Sequence, residues 1–171
     1  RRGPRCGSLH PPENRRGGVI AATIVALLRK RHADQIFVEE LRGGSGYGGD
    51  SESRIDAWAM HPYPSKQNCR VAYAVKVSRS DFLRDIKQPL KHRAALNVSN
   101  EFYFVAPEGV IKPEELPLFA GLIEVKETSY VAHPLRLHKA VTAPWRDTTP
   151  PSWRFVVSLV RNVRRGGKLA R

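Results

Sequence analysis

The chain has 171 residues, the size of one domain and enough to bury a core without disulfide bonds. Lysine and arginine total 29 against 16 aspartate and glutamate residues, so the formal net charge is +13, which favours a polyanionic partner. Apolar residues make up 41% of the chain, and no apolar run approaches the roughly 18–20 residues that span a bilayer, which excludes a disordered chain and an integral membrane protein.

Both ends of the chain are strongly basic. We interpret residues 1–18, rich in arginine, glycine and proline, as a flexible segment before a single domain over residues 19–171. The basic last helix and tail indicate binding to a polyanion. The alternatives are that they keep the protein soluble or bind a membrane surface. Cys6 and Cys69 match no zinc spacing and predict a reducing, cytoplasmic location, the host cytoplasm if the chain is phage-encoded.

The first half of the domain predicts a helix followed by three strands. Ile20, Ile24, Leu27 and Leu28 recur at helical spacing and end in a basic stretch. Three short β-rich runs follow, and their short connections favour an antiparallel meander. These runs are residues 36–41, 54–60 and 70–77, and the glycine- and serine-rich loop is residues 43–53. Such a loop indicates a turn near a functional surface.

The second half predicts further helices and strands in alternation. Ser80 is the expected N-cap of a helix, and Pro89 is expected to break it and start a second helix that runs to about Leu96. Strands are predicted at residues 101–105 and 121–125, with a short one at 130–132. The last helix is predicted from the stripe Val156, Leu159, Val160 and Val163. The expected fold class is therefore α/β, with a mixed central sheet flanked by helices.

Two charged residues stand in otherwise apolar strands. Asp56 precedes Ala57 and Trp58, and Lys76 follows the run that ends in Val75. Burying an unpaired charge is unfavourable, so each side chain needs a partner. From the strand positions we expect the two to face each other, either as a structural ion pair or as part of a functional site.

Asp56 and Lys76, with the segments that follow them, carry a family resemblance. Residues 76–87, 102–107 and 121–123 occur in the order found in MmcB-related DNA repair proteins and phage nucleases, a branch that this chain resembles over about residues 35–126. The resemblance extends to the PD-(D/E)xK nuclease superfamily, which has an Asp on one strand and Glu-x-Lys on the next. It implies a restriction-endonuclease-like core (αβββαβ), Mg²⁺ with Mn²⁺ as a substitute, DNA as partner and scope for a homodimer.

Ala74 is where the chain departs from the family motif, which has an acidic residue two before the lysine. Side chains alternate along a strand, so positions 74 and 76 share a face. Alanine cannot ligate a metal, and Asp56, Lys76 and the run 78–82 are nevertheless kept. We interpret Ala74 as an inactivating replacement of a glutamate. Two origins stay open, an engineered change and a naturally inactive homologue.

The resemblance also implies roles for the residues of an active form. Asp56, an acid at position 74 and the Val75 carbonyl would hold Mg²⁺, whose preferred ligands are oxygen atoms. Lys76 would orient the attacking water or stabilise the charge of the transition state. One of Glu39 and Glu40 is expected to reach the metal, and alternation puts them on opposite faces. A solvated pair at a strand end is the alternative.

Basic residues after the motif are the expected contacts to phosphate. They are Arg79, Arg84, Lys87 and Lys91, with Tyr47 in the loop as a surface on which a base could stack. A solvated helix face is the alternative for Arg84 and Lys91, and an ordinary surface residue for Tyr47. The resulting hypothesis is a Mg²⁺-dependent DNA nuclease of DNA repair or phage DNA processing, inactive as written. The alternative is a non-catalytic nucleic-acid-binding protein on a nuclease-like fold.

Overall fold

The computed structural model describes residues 19–42, 54–130 and 132–166. This part of the chain forms an α/β fold in which a six-stranded mixed sheet is flanked by helices, as the sequence predicts. The helices are α1 (Ala21–Arg31), α2 (Arg79–Ile86), α3 (Arg93–Asn97) and α4 (Trp153–Gly166). The strands are β1 (Ile36–Arg42), β2 (Arg54–Met60), β3 (Arg70–Val75), β4 (Glu101–Pro107), β5 (Gly121–Glu127) and β6 (Leu135–Val141).

The strands lie in the sheet in their chain order, from β1 to β6. β1, β2 and β3 are antiparallel, which confirms the predicted meander. β4 is parallel to β3 and β5 is parallel to β4, whereas β6 returns antiparallel to β5. A parallel pair needs a crossover connection, and α2 and α3 provide it between β3 and β4.

Each face of the sheet is covered by its own hydrophobic core. On one face, Phe82 of α2 and Phe155 of α4 pack with Trp58 of β2. On the other face, Ile24 and Leu28 of α1 are fully buried against the sheet. Burying an aliphatic side chain of this size stabilises a fold by about 1.5–3 kcal/mol, so the helical spacing that predicted α1 also explains how it is held.

The boundaries around α2 differ from the prediction. Ser78, not Ser80, is the N-cap, because its Oγ accepts a hydrogen bond from the Asp81 backbone N–H at 3.3 Å. The predicted break at Pro89 is confirmed, but a 3₁₀ turn over Pro89–His92 precedes α3. β3 ends at Val75, two residues earlier than predicted. The chain therefore leaves the sheet immediately before Lys76.

The strand expected at residues 130–132 is wrong. Tyr130 and Ala132 lie outside any strand, because the chain turns there and the Thr128 N–H donates to the Pro134 carbonyl at 2.8 Å. The strand β6 follows this turn and was not predicted from the sequence. Its alternation of Leu135 and Leu137 with exposed basic residues is typical of a strand at the edge of a sheet.

The last helix is present, but its buried face is shifted from the predicted one, because Leu159 packs against the core while Val160 of the same predicted stripe is exposed. Val160 is 53% exposed, while Phe155 and Ser158 are buried. Ser158 Oγ donates to the Arg42 carbonyl of β1 at 3.0 Å, and this bond fixes the rotation of α4. Among the described residues, no helix is long and apolar enough to cross a bilayer.

Candidate functional site

The site begins where β2 and β3 separate. Their paired residues run from Met60 and Arg70 to Ala57 and Tyr73, although both strands continue beyond that pair. Past the last pair, Asp56 Oδ2 accepts the Val75 backbone N–H at 2.8 Å. A carboxylate thus takes the role of a backbone acceptor, which fixes Asp56 at the fork between the strands.

The surroundings of Asp56 disfavour its ionised form. Burial raises the pKa of Asp56, while the hydrogen bond from Val75 and the positive charge of Lys76 offset this only in part. Burial disfavours a carboxylate because water no longer solvates its charge. Asp56 therefore combines a fixed position with a raised affinity for a proton.

Two cavities meet at Asp56. The larger, of about 720 Å³, lies beside α1 and is also lined by Val75, Glu39 and Glu40. The smaller, of about 40 Å³, lies on the α2 side. Its lining residues include Asp56, Ala74, Lys76, Asp85, Lys91 and His92. The structure thus brings Asp56, Ala74 and Lys76 together, and Asp56 also borders the cavity of the two glutamates.

Lys76 is paired with Asp85 of α2 rather than with Asp56. Its Nζ lies 2.8 Å from Asp85 Oδ2, and the side chains of Lys76 and Asp85 are 6% and 1% exposed. The Lys76 backbone N–H donates to the Val105 carbonyl at 2.9 Å, which holds the residue at the end of the sheet beside α2. The expectation that Lys76 and Asp56 form an ion pair is therefore wrong, because Lys76 is paired with Asp85, whose carboxylate is more deeply buried.

Asp85 is the centre of a buried charge cluster that was not predicted from the sequence. Its Oδ2 lies 3.2 Å from His92 Nε2, and its Oδ1 is bound by Lys91 Nζ. Burial acts to raise the pKa of Asp85, but the hydrogen bonds from His92, Lys76 and Lys91 outweigh it, so the pKa is well below its ordinary value. The signal in the sequence was its position three residues after Phe82, on the inward face of α2.

Glu39 and Glu40 both line the large cavity, contrary to the expected alternation. The backbone of Glu40 has φ 49°, a left-handed conformation that interrupts the alternation of the strand. Glu39 Oε1 accepts hydrogen bonds from Arg29 Nε at 3.1 Å and Nη2 at 2.7 Å. Glu40 Oε1 lies 3.3 Å from Arg54 Nη1. Each glutamate is thus already paired with an arginine.

The residues present do not fit a Mg²⁺ site. Within residues 19–42, 54–130 and 132–166, no group of three or more His, Cys, Asp or Glu side chains is arranged to hold a metal ion. Ala74 provides no ligand, Asp56 Oδ2 is bonded to Val75, and Glu39 is bonded to Arg29. As written, the chain has one carboxylate at the fork where the family motif has two.

The arginines predicted to contact phosphate are engaged by acids. Arg79 Nη1 donates to Glu115 Oε2 at 2.8 Å, and a second bond joins the same two side chains. Arg84 Nη2 lies 3.2 Å from Asp81 Oδ1, on the exposed surface of α2. Neither arginine is among the residues that line the two cavities bordered by Asp56.

The other predicted nucleic-acid contacts divide in three ways. Lys91 lines the small cavity through its bond to Asp85. Lys87, at the C-terminus of α2, is exposed. Tyr47 lies outside the described residues. Arg29 and Lys30 of α1 line the large cavity together with Asp56, and no role was predicted for them from the sequence.

Comparisons with known proteins add a fold but no function. No protein-family model matches the chain, and no curated protein matches it. One solved structure is similar, that of a protein of unknown function from Silicibacter pomeroyi. The TM-score is 0.54 and the identity 18%, over 90% of this chain and 99% of that one. At this identity the likeness concerns the fold alone.

Proposed function

We propose that this chain carries a nuclease core of the PD-(D/E)xK type that acts on DNA, and that the form with Ala74 does not hydrolyse it. The observation that supports the proposal most is the cavity that Asp56, Ala74 and Lys76 share where β2 and β3 separate. These are the three positions of the family motif. DNA as substrate is supported by the net charge of +13 and by the cations around the cavities.

The decisive change is Ala74→Glu. The added carboxylate would project into the cavity that Asp56 borders, because Ala74 lines it. With Mg²⁺ or Mn²⁺, we expect the variant to cleave one or more members of a panel of labelled single-stranded, duplex, flap and branched DNAs. The rate should exceed that of the unmodified chain by about 100-fold or more, the effect expected of a charged group at a reaction centre. A chelator should abolish the cleavage.

Ala74→Gln is the matched control, because it adds the same bulk without the charge. It should bind DNA as the unmodified chain does and leave every DNA uncut. The hydrolytic proposal is wrong if folded Ala74→Glu protein binds Mg²⁺ in calorimetry and yet cuts none of the DNA structures. Cleavage by the glutamine variant would also contradict it, because the carboxylate would then be unnecessary.

A second candidate is a nucleic-acid-binding protein without catalysis. It is favoured by the contacts of the two motif residues, since Lys76 is paired with buried Asp85 and Asp56 with the Val75 N–H. This candidate predicts DNA binding that weakens steeply as salt rises, with no cleavage by either variant at position 74. A homodimer stays a prediction of the family resemblance, to be checked by light scattering.

A further inference from the structure

The large cavity beside α1 has a wall of small side chains. α1 turns four of them toward it, which are Ala21, Ala22, Val25 and Ala26. Asp56 and Val75 line the same space, so it opens directly onto the strand fork. Its volume of about 720 Å³ lies within the range of ordinary ligand sites.

The charged residues that line this cavity carry both signs, and Arg29 is one of its two cations among the described residues. Its side chain is 62% exposed, and its guanidinium lies 5.6 Å from the centre of the Phe37 ring. Two of its N–H groups donate to a single oxygen of Glu39, whose side chain is 35% exposed. A guanidinium has five N–H donors, so three are left for another acceptor.

Building on the proposed function, we propose that Arg29 is a phosphate contact for a nucleic-acid strand in this cavity, and that Glu39 competes with the phosphate for Arg29. The planar guanidinium matches a phosphate bidentately. Ion pairs as exposed as this one contribute little to folding, so exchange of Glu39 for a phosphate is easy. In the free protein, Glu39 holds Arg29 at the cavity and neutralises it.

Arg29 suits this role better than the cations after the motif. Lys91 is bound to Asp85 and lines the small cavity of about 40 Å³, not the large one. Arg79 and Arg84 lie outside the lining of both cavities. Arg29 and its neighbour Lys30 line the cavity that reaches Asp56.

The test measures binding of a fluorescein-labelled single strand and of the matching duplex over a range of salt concentrations. Arg29→Gln should weaken binding by about 3- to 10-fold at low salt and reduce the log–log salt slope by about 0.9 for the duplex or about 0.7 for the single strand, the values for one phosphate contact. Glu39→Gln should tighten binding by about 3-fold, because Arg29 loses its competitor. In the Arg29→Gln background, the added Glu39→Gln change should have little effect.

Lys30→Gln and Lys66→Gln form a matched pair of charge controls. Lys30 lines the cavity, whereas Lys66 lies in the connection between β2 and β3 at the opposite end of the sheet from Asp56. Lys30→Gln should weaken binding, and Lys66→Gln should leave it within about 2-fold, because a distant exposed charge is largely screened.

The outcomes separate the two proposals. If the unmodified chain binds DNA and Arg29→Gln binds equally well, the inference about Arg29 is overturned while the proposed function stands. If Glu39→Gln tightens binding equally in both backgrounds, Glu39 acts through general charge and the competition is disproved. If the unmodified chain shows no salt-dependent binding to either DNA, both proposals fail together.

Discussion

Asp56 and Asp85 border the same small cavity, yet their surroundings shift their pKa values in opposite directions. Asp85 is the more deeply buried, and three cationic or hydrogen-bonding side chains surround its two oxygens. Asp56 is only partly buried and has one backbone N–H donor. The pKa of Asp85 is lowered and that of Asp56 is raised, each relative to an ordinary aspartate. The number of partners, rather than depth, decides which carboxylate stays ionised.

This difference indicates a structural role for Asp85 and a candidate functional role for Asp56. Asp85 is held by close contacts to Lys76, Lys91 and His92, and these contacts hold Lys76 and the segment after α2 in place. Only Oδ2 of Asp56 accepts a hydrogen bond within the described residues, and Asp56 borders two cavities. Its carboxylate can therefore accept further hydrogen bonds from a bound molecule. A carboxylate that the fold leaves incompletely satisfied, in a cleft, is a candidate for function.

The largest effect is expected from Asp85→Asn. The change leaves Lys76 buried without its countercharge, and breaking such a pair typically costs about 3–5 kcal/mol. Urea unfolding should show this loss in the free energy of unfolding at neutral pH. Asp81→Asn, in the same helix, is the control, because the Asp81–Arg84 pair is exposed and should be worth less than about 1 kcal/mol. Equal losses in the two variants would contradict the buried role of Asp85.

A smaller effect of opposite sign is expected from Asp56→Asn. The raised pKa means that the folded state holds a proton more tightly than the unfolded state, so ionisation of Asp56 lowers stability as pH rises above about 3.8. An asparagine keeps an acceptor for the Val75 N–H and removes this penalty. The variant should therefore equal the unmodified chain in stability at acid pH and exceed it at neutral pH.

The same pH series gives the opposite slope for Asp85. A lowered pKa means that its stabilisation is complete above the ordinary aspartate pKa, near 3.8, and is lost as pH falls toward the folded-state value. The difference between the unmodified chain and Asp85→Asn should therefore shrink only in strongly acidic solution. If the change in unfolding free energy varied with pH in the same way for Asp56→Asn and Asp85→Asn, the opposite pKa shifts of the two aspartates would be contradicted.

The smallest effect is expected from Lys91→Gln. The Lys91 side chain is 49% exposed, so solvent screens its bond to Asp85 and the loss of unfolding free energy should be at most about 1 kcal/mol. Asp85 keeps Lys76 and His92 in this variant. A loss as large as that of Asp85→Asn would show that Lys91, rather than Lys76, carries the cluster.

Much of the fold follows from local patterns in the sequence. The bounds of β2 were predicted at Arg54–Met60 because apolar residues fill that segment apart from Arg54 and Asp56. α1 and the break at Pro89 were also predicted, since helical spacing and proline act locally. β6 was missed because Lys139 interrupts the alternation of Leu135 and Leu137.

The site was predictable in its members but less so in their pairings. Asp56 and Lys76 are conspicuous because they are charges beside apolar strands. The partner of Lys76 depends on how α2 packs against the end of the sheet, which spacing along the chain does not determine. Glu39 and Glu40 line the same cavity rather than opposite faces, because the positive φ of Glu40 breaks the alternation of the strand.

The last strand of the sheet has a consequence for the solubility of the folded chain. Within the part of the chain that the structure describes, β6 is an edge strand with one neighbour in the sheet, and Arg136, His138 and Lys139 on it are exposed. An open edge offers unpaired backbone groups to the strands of other molecules, which is a common route to aggregation. Side chains with positive charge repel an identical edge on a second molecule. The basic character of the chain thus also protects the sheet against growth by strand addition.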